Sequence, residues 1–207
     1  MKYQNERKIT LVDVILRGIT PYSQSKYMDL DMKEYKKEPR EKTQDYDERL
    51  WREKGHWNAE GHMYMPRRQL RVMMANAAQY KGQKVEGQGQ AKYTKHFKAG
   101  ILITKDFNLV NKEGQPVTRE NVGIDVSFPE TSTGNRVKTR CPMITNGWQV
   151  MGQMLITDPT ITRNVFLEHL SDAGMFIGLG RFRVGNGGDF GGFVIEDYEF
   201  SEVSNAG

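Results

Sequence analysis

Three stretches of the chain have the hydrophobic pattern of β-strands in a partly buried sheet. Residues 8–17, KITLVDVILR, are β-branched and apolar on both faces except at Asp13, which is typical of a central strand. Residues 148–156, WQVMGQMLI, alternate between apolar and polar positions, and Gly152 within them is predicted to mark a bulge. Residues 193–200 have the composition of a final strand.

Two other stretches have the period of amphipathic helices packed on a sheet. After Pro66, apolar residues recur at positions i, i+3, i+4, i+7 and i+8, namely Leu70, Met73, Met74, Ala77 and Ala78. Proline suits the first turn of such a helix. A second helix is predicted from Asp158 to Ala173, and Gly174 follows it at the position where helices commonly end.

The order of these elements predicts an α+β fold. Short strands are expected within 100–104, 105–117 and 122–128, between the two helices. The chain then consists of two β-α-β halves, which is the ferredoxin-like or RRM-like arrangement of an antiparallel sheet with helices on one face. We therefore expect a single domain over 1–207.

Two polar segments interrupt this pattern. Residues 27–64 are dense in both acidic and basic residues and contain few apolar ones, so we treat them as an insertion after the first strand. Such a segment is either a set of solvated helices or an arm that grips a neighbour or a nucleic-acid strand. Residues 81–99 are rich in Gly, Gln and Lys and are predicted to form a flexible basic loop.

Composition narrows the class of protein. The 207 residues are enough for one well-packed core. The single cysteine, Cys141, excludes an internal disulfide and a cysteine-based zinc site, and it indicates a reducing compartment. No run is long and apolar enough for a membrane span, and the first residues lack a signal-peptide pattern. We expect a cytoplasmic protein that binds neither a membrane nor a cofactor.

Positive charge is concentrated in one segment although the formal net charge is only +4. Residues 65–98 hold eight basic residues against one acidic residue, Glu86. In the second half of this segment, Tyr93 and Phe97 alternate with lysines. Cations that follow phosphates and rings that stack on bases are the two components of single-stranded nucleic-acid binding. A solvated loop with one or two rings in the core has the same pattern.

The segment 173–193, AGMFIGLGRFRVGNGGDFGGF, combines eight glycines with Arg181 and Arg183. Such a density of glycine allows turns with positive φ or the close approach of another chain to the backbone, and the arginines suit an anion. The segment lacks the Gly-Lys-Ser/Thr of a Walker loop. It also lies between a helix and a strand, the reverse of the dinucleotide-binding order. An ordinary structural loop is the alternative interpretation.

Histidines offer the chain's few candidates for acid–base chemistry. His56 and His62 lie near Glu60, and His96 lies in the basic segment. Their spacing matches no helix-borne metal motif, so we assign no metal site and no catalytic residue. A metal-independent ribonuclease that uses these histidines as acid and base remains an alternative.

Three sequence stretches together resemble the RAMP superfamily, the RRM-like proteins that form the RNA-binding backbone of CRISPR effector complexes. They are LRGITPYS after the first strand, YMPRRQLRVMMANAA at the first helix and GLGRFRVGNGGDFGGFVIE near the C-terminus. The C-terminal pattern also resembles that of small uncharacterised phage proteins of similar build. The resemblance implies that 27–64 corresponds to a thumb-like insertion. It also implies a glycine-rich loop beside the RNA backbone, made by Gly178, Gly180, Arg181, Gly187, Gly188 and Gly191.

We therefore expect a non-catalytic protein that binds single-stranded nucleic acid, RNA rather than DNA, and assembles side by side along it. It would act as a homo-oligomer or as a subunit of a ribonucleoprotein. The alternative is a protein-interaction or anti-defence module that mimics a CRISPR subunit. The residues expected at the strand are Arg67, Arg68, Arg71, Lys92, Tyr93, Lys95, Phe97, Gly178, Gly180, Arg181, Arg183, Gly187 and Gly188.

Overall fold

The computed structural model describes residues 9–28, 32–128, 134 and 136–203 of the chain. Its strands are β1 Ile9–Gly18, β2 Tyr22–Ser23, β3 Tyr64–Met65, β4 Ile101–Leu102, β5 Phe107–Val110, β6 Gly123–Ser127, β7 Thr139–Ile144, β8 Gln149–Ile156 and β9 Phe193–Val203. Its α-helices are α1 Thr43–Leu50, α2 Arg67–Lys81, α3 Thr94–Gly100 and α4 Arg163–Asp172. Among these described residues, no helix is both long and apolar enough to cross a membrane.

The central strand of the main sheet is β1, as its apolar sequence predicts. It pairs antiparallel with β8 on one side and with β9 on the other, so that the sheet order is β3-β5-β8-β1-β9, with β4 also paired to β8. The strands of the two β-α-β halves are therefore interleaved around β1. This order, with all pairs antiparallel, confirms the ferredoxin-like α+β fold.

The helices α2 and α4 cover one face of this sheet. The predicted stripe of α2 is buried as expected, since Leu70, Met74, Ala77 and Ala78 have no exposed surface. On the sheet, Val12 and Leu16 from β1 and Val150 and Met154 from β8 face these helices and are also fully buried. The hydrophobic core thus lies between the sheet and the two helices that the sequence predicts.

Trp148 fixes the end of β1 against the start of β8. Its ring is fully buried, and its Nε1 donates a hydrogen bond of 2.8 Å to the Thr20 carbonyl. A Cβ atom on Gly18 would lie 2.1 Å from this ring, so only glycine leaves room for it. The turn that follows β1 is therefore held in place by a core side chain.

Gly152 has a packing role and does not mark a bulge. The register between β1 and β8 runs without interruption, and Val14 lies opposite Gly152. A Cβ atom on Gly152 would lie 2.2 Å from the ring of Phe107, which is buried over this position. The prediction of a bulge was wrong because the same glycine signal arises where a neighbouring ring needs the space.

A second, smaller sheet of order β2-β7-β6 carries the described part of the charged insertion. Arg140 on β7 is buried, and its guanidinium pairs with Asp47 at 3.4 Å and with Glu48 at 3.0 Å on α1. Lys54 also bonds Asp47 and donates to the Arg140 carbonyl at 2.8 Å. Several of the insertion's charges therefore anchor it to β7. Residues 29–31 lie outside the described part.

The segment 81–99, predicted as a flexible loop, ends in the helix α3. Phe97 is fully buried and its ring stacks on His169 of α4, with the two centroids 4.3 Å apart. Tyr93 is 6% exposed and makes edge contacts to both of these rings. The two aromatic residues are four positions apart, so they fall on the same side of a helix and bind α3 to α4.

We predict that Phe97→Ala destabilises the fold by about 3–5 kcal/mol, because the substitution leaves a cavity in the core between α3 and α4. Urea unfolding measured by circular dichroism gives this value. The matched control is Lys95→Ala on the exposed side of α3, which should change stability by no more than about 0.5 kcal/mol. Equal stability of the two variants would contradict the packing described above.

His169 is buried, and its Nε2 has no hydrogen-bond partner within the described residues. Burial lowers the pKa of His169, although the bond from its Nδ1 to the Val165 carbonyl opposes this change. The unfolded chain therefore binds the proton first as the pH falls, and the stabilising contribution is lost below about pH 6.5. The free energy of unfolding should fall between about pH 7.5 and 5.5, and less steeply in His169→Phe. Identical slopes would refute this role of His169.

Candidate nucleic-acid interface

A cavity of about 300 Å³ lies between α2 and the glycine-rich segment. One wall comes from α2, where Arg68, Val72 and Asn76 are spaced by four residues and so form one stripe beside the buried one. The complete lining is His56, Pro66, Arg68, Gln69, Val72, Met73, Asn76, Gly178, Leu179, Gly180 and Arg183. Four residues predicted from the sequence are thus brought together: Arg68, Gly178, Gly180 and Arg183.

The opposite wall is shaped by glycines that fold back on the chain itself. Gly178 and Gly180 have φ values of 69° and 78°, which other residues rarely adopt. A Cβ on Gly180 would lie 2.4 Å from the Ser23 carbonyl oxygen of β2. The close neighbour of this glycine is therefore the chain's own backbone. The N–H of Gly180 makes no hydrogen bond within the described part of the chain.

Arg68 and Arg183 give the cavity its charge. Considering the described residues alone, neither guanidinium forms an ion pair with a carboxylate, whereas Arg181 and Arg140 both do. Arg68 is exposed and Arg183 is partly buried. The two uncompensated charges lie on opposite walls of one cavity, which favours a ligand carrying negative charge.

Arg67 and Arg71 extend this positive surface along α2. The Arg67 guanidinium donates to the Thr104 carbonyl at 2.8 Å, and that of Arg71 donates to the Lys98 carbonyl at 3.2 Å. These are bonds to neutral acceptors, so the charge of each arginine is retained. Lys95 is exposed on α3, which packs beside α2, and Lys92 is exposed just before it.

Arg181 has an internal role that the sequence did not reveal. It donates to Asp125 at 2.7 Å and to Ser127 at 2.8 Å, both on β6, and its guanidinium lies over the Phe182 ring. Only 13% of its side chain is exposed. The expected phosphate contact is contradicted by this position, because the guanidinium is neutralised and ties the glycine-rich segment to the second sheet.

The expected base stacking by Tyr93 and Phe97 is contradicted as well, since both rings lie in the core.

The other two predicted glycines, Gly187 and Gly188, have different surroundings. A Cβ on Gly188 would lie 2.0 Å from the Phe182 carbonyl oxygen, so this residue closes a tight loop. Gly187 has a φ of 79° with open space around it. Neither of these two glycines lines the cavity.

A chain of hydrogen bonds behind the cavity was missed by sequence reasoning. The His56 N–H donates to Gln24 Oε1 at 2.7 Å, and Gln24 Nε2 donates to the Tyr64 carbonyl at 2.8 Å and to the Tyr22 hydroxyl at 2.9 Å. The Tyr22 hydroxyl in turn bonds Gln69 Oε1 at 3.0 Å. Burial raises the pKa of Tyr22 far above its ordinary value, so its hydroxyl keeps its proton.

The histidines do not form a recognisable acid–base pair at the cavity. His56 lines it, and burial together with the nearby Lys26 lowers the pKa of His56. His96 instead bonds Asp158 at 2.7 Å, and His62 lies 3.4 Å from Glu60. Neither lines the cavity, so this geometry provides no second histidine to complete the ribonuclease chemistry considered above.

The other face of the main sheet has the opposite charge. On β1 and β9, Asp13 lies opposite Glu199 and Ile15 lies opposite Asp197. These residues line a depression of about 500 Å³ together with Met151 and others. The negative charge of this surface would repel phosphate groups.

Comparison with known proteins supports the fold. Neither the protein-family models nor the curated protein sequences give a match. Among solved structures, a chain in the cryo-EM structure of the type III-B Cmr-beta bound to cognate target RNA is similar over 93% of this chain, with a TM-score of 0.51 and 16% identity. The likeness is one of fold. This chain spans 61% of the length of that one.

Gly180 and Gly187 both have positive φ, and a comparison of alanine at the two positions tests how the glycine-rich segment packs. Alanine at either Gly180 or Gly187 adds roughly 1–2 kcal/mol of backbone strain. At Gly180 the contact with Ser23 adds roughly 1–3 kcal/mol more, because the backbone must shift. Gly180→Ala should therefore unfold at lower urea concentration than Gly187→Ala. Equal midpoints would show that the loop does not pack on β2 as described.

Proposed function

We propose that this protein binds single-stranded nucleic acid, RNA in preference to DNA, along the helical side of the molecule. The observation that carries the proposal is that two guanidinium groups, those of Arg68 and Arg183, line one cavity without a carboxylate partner among the described residues. Gly180 lies beside them, and its N–H has no partner in the same ranges. Arginine side chains and backbone N–H groups are the usual partners of phosphate oxygens. Arg67, Arg71, Lys92 and Lys95 continue the positive surface beyond the cavity.

The choice of a single strand of RNA rests on the fold and on the sequence resemblance. The chain resembles RAMP proteins in its C-terminal motif, and the Cmr-beta structure with a similar fold was determined with cognate target RNA bound. Many RRM-like domains bind RNA through aromatic residues on the open sheet face. Here the open face carries Asp13, Asp197 and Glu199, so the strand would follow α2 and the glycine-rich segment instead.

We further propose that copies of the protein, or related subunits, lie side by side along the strand. The insertion 27–64 would act as the thumb-like element between neighbours. Its described part is held to β7 by the Arg140 pairs, which gives it a defined position from which to contact a neighbour. No step in this proposal involves catalysis or a metal.

The test is fluorescence anisotropy of labelled single-stranded RNA and DNA at two salt concentrations. We predict salt-sensitive binding, with size-exclusion profiles that grow with strand length. Arg68→Ala combined with Arg183→Ala should weaken binding at low salt about tenfold or more. It should also reduce the slope of log affinity against log salt by about 1.4, because two phosphate contacts are lost.

The matched control removes the same amount of charge elsewhere. Lys105 lines the depression on the acidic face, and Lys112 is exposed and lies outside the cavity. The Lys105→Ala, Lys112→Ala variant should keep most of the affinity. Equal losses of affinity in the two double variants would show that binding depends only on the net charge of the protein. The absence of binding at low salt would refute the function and make the positive surface a protein-binding one.

A further inference from the structure

Besides its two arginines, the cavity has apolar lining residues that phosphate binding does not explain. They are Val72 and Met73 from α2, Leu179 from the glycine-rich segment, and Pro66. At about 300 Å³, the cavity is at the lower end of the roughly 300–1,000 Å³ range of small-molecule sites. A phosphate group is strongly hydrated and is not stabilised by contact with apolar side chains. A flat, largely apolar group attached to a phosphate chain fits them.

The hydrogen-bond chain behind the cavity determines which atoms Gln69 offers. The backbone N–H of His56 can only donate, so the Gln24 atom that it meets is the oxygen, and Gln24 Nε2 must donate to Tyr22. The Tyr22 hydroxyl already accepts that bond, so its own proton goes to Gln69 Oε1. Reversing the Gln69 amide would leave this buried hydroxyl proton without an acceptor.

Gln69 is therefore fixed as a donor toward the cavity that it lines. Its Oε1 is occupied by Tyr22, and its Nε2 makes no hydrogen bond to any residue in the described ranges. Two amide N–H groups are thus available beside apolar walls, and Arg68 and Arg183 are donors as well. A ligand for this cavity must present hydrogen-bond acceptors.

We propose that the cavity takes one base turned out of the bound strand, with Gln69 Nε2 donating to a carbonyl oxygen on the edge of that base. This inference rests on the proposed function and specifies it. Arg68 and Arg183 would hold the phosphates that flank the base, while Val72 and Leu179 contact its faces. Unpaired strands can present bases in this way, because their bases need not remain stacked.

The chemistry of the donors gives a preference among bases. Uracil presents two carbonyl oxygens and no amino group. Adenine has ring-nitrogen acceptors, but N1 and N7 each lie beside its amino group, which is a donor. A donor placed against the fixed donors of the pocket stays unpaired, and this disfavours adenine. Strands of uridine should therefore bind more tightly than strands of adenosine. Discrimination by one such hydrogen bond is about tenfold or more.

The experiment compares three labelled strands of equal length, about 12 nucleotides: uridine, adenosine, and a base-free strand of abasic ribose-phosphate units. All three carry the same phosphates. Anisotropy at one salt concentration should rank uridine first, with the base-free strand about tenfold weaker. Equal affinity for uridine and base-free strands would overturn the base pocket while leaving phosphate binding intact. Failure of all three to bind would refute the proposed function itself.

Two variants separate the pocket from the charge. Val72→Trp fills the cavity from a residue that is 43% exposed, so the fold should tolerate it. Its control is Gln79→Trp, on the same helix and outside the cavity. Val72→Trp should lower the affinity for uridine to that for the base-free strand, and Gln79→Trp should not. A uridine advantage that survives in Val72→Trp would overturn the proposal.

Gln69→Glu tests the donor directly. A carboxylate still accepts from Tyr22, so the internal bond is kept, but the two N–H groups are lost. The added negative charge weakens the binding of all three strands alike, so it does not change the ratio of their affinities. We expect the ratio of uridine to adenosine affinity to fall about tenfold. An unchanged ratio would show that Gln69 does not contact the base.

Discussion

The glycine-rich segment packs directly on the turn that follows β1, and the shape of the functional surface depends on this contact. The Arg181 N–H donates to the Ser23 carbonyl at 2.8 Å, and the Gly191 N–H donates to the Pro21 carbonyl at 2.7 Å. A side chain at Gly180 would prevent this approach, since its Cβ would lie 2.4 Å from the Ser23 carbonyl oxygen. The contact joins residues more than 150 positions apart and holds the glycine-rich wall of the cavity in place. Any ligand of the cavity benefits from a site that is already formed.

The sequence predicts the main sheet and its two covering helices well because their signals are local. The period of α2 and the apolar run of β1 can be read from a dozen residues each, and both are buried as expected. Arg68, Gly178, Gly180 and Arg183 were predicted because cations and glycines stand out in composition. The four come together because the helix and the segment that carry them pack against each other.

The predictions that were wrong concern residues whose contact partners are distant in the sequence. Arg181 has the composition of an anion-binding residue, but its partner Asp125 lies 56 positions away on β6. Tyr93 and Phe97 alternate with lysines, and their spacing of four was the signal that could have indicated a helix with a buried side. Gln69 was missed entirely. It carries no charge, and its donor role depends on two side chains from β2 and the turn after it.

The orientation of the Gln69 side-chain amide is determined by backbone groups of the insertion 27–64. Two main-chain groups of the insertion fix the hydrogen-bond chain, the N–H of His56 and the carbonyl of Tyr64. A shift of the backbone that placed a carbonyl and an N–H in the opposite positions would reverse Gln24, then Tyr22, and finally Gln69. The cavity would then offer an oxygen in place of two N–H groups. A change in the backbone of the insertion would thus alter the ligand that the cavity accepts, with every cavity-lining side chain unchanged.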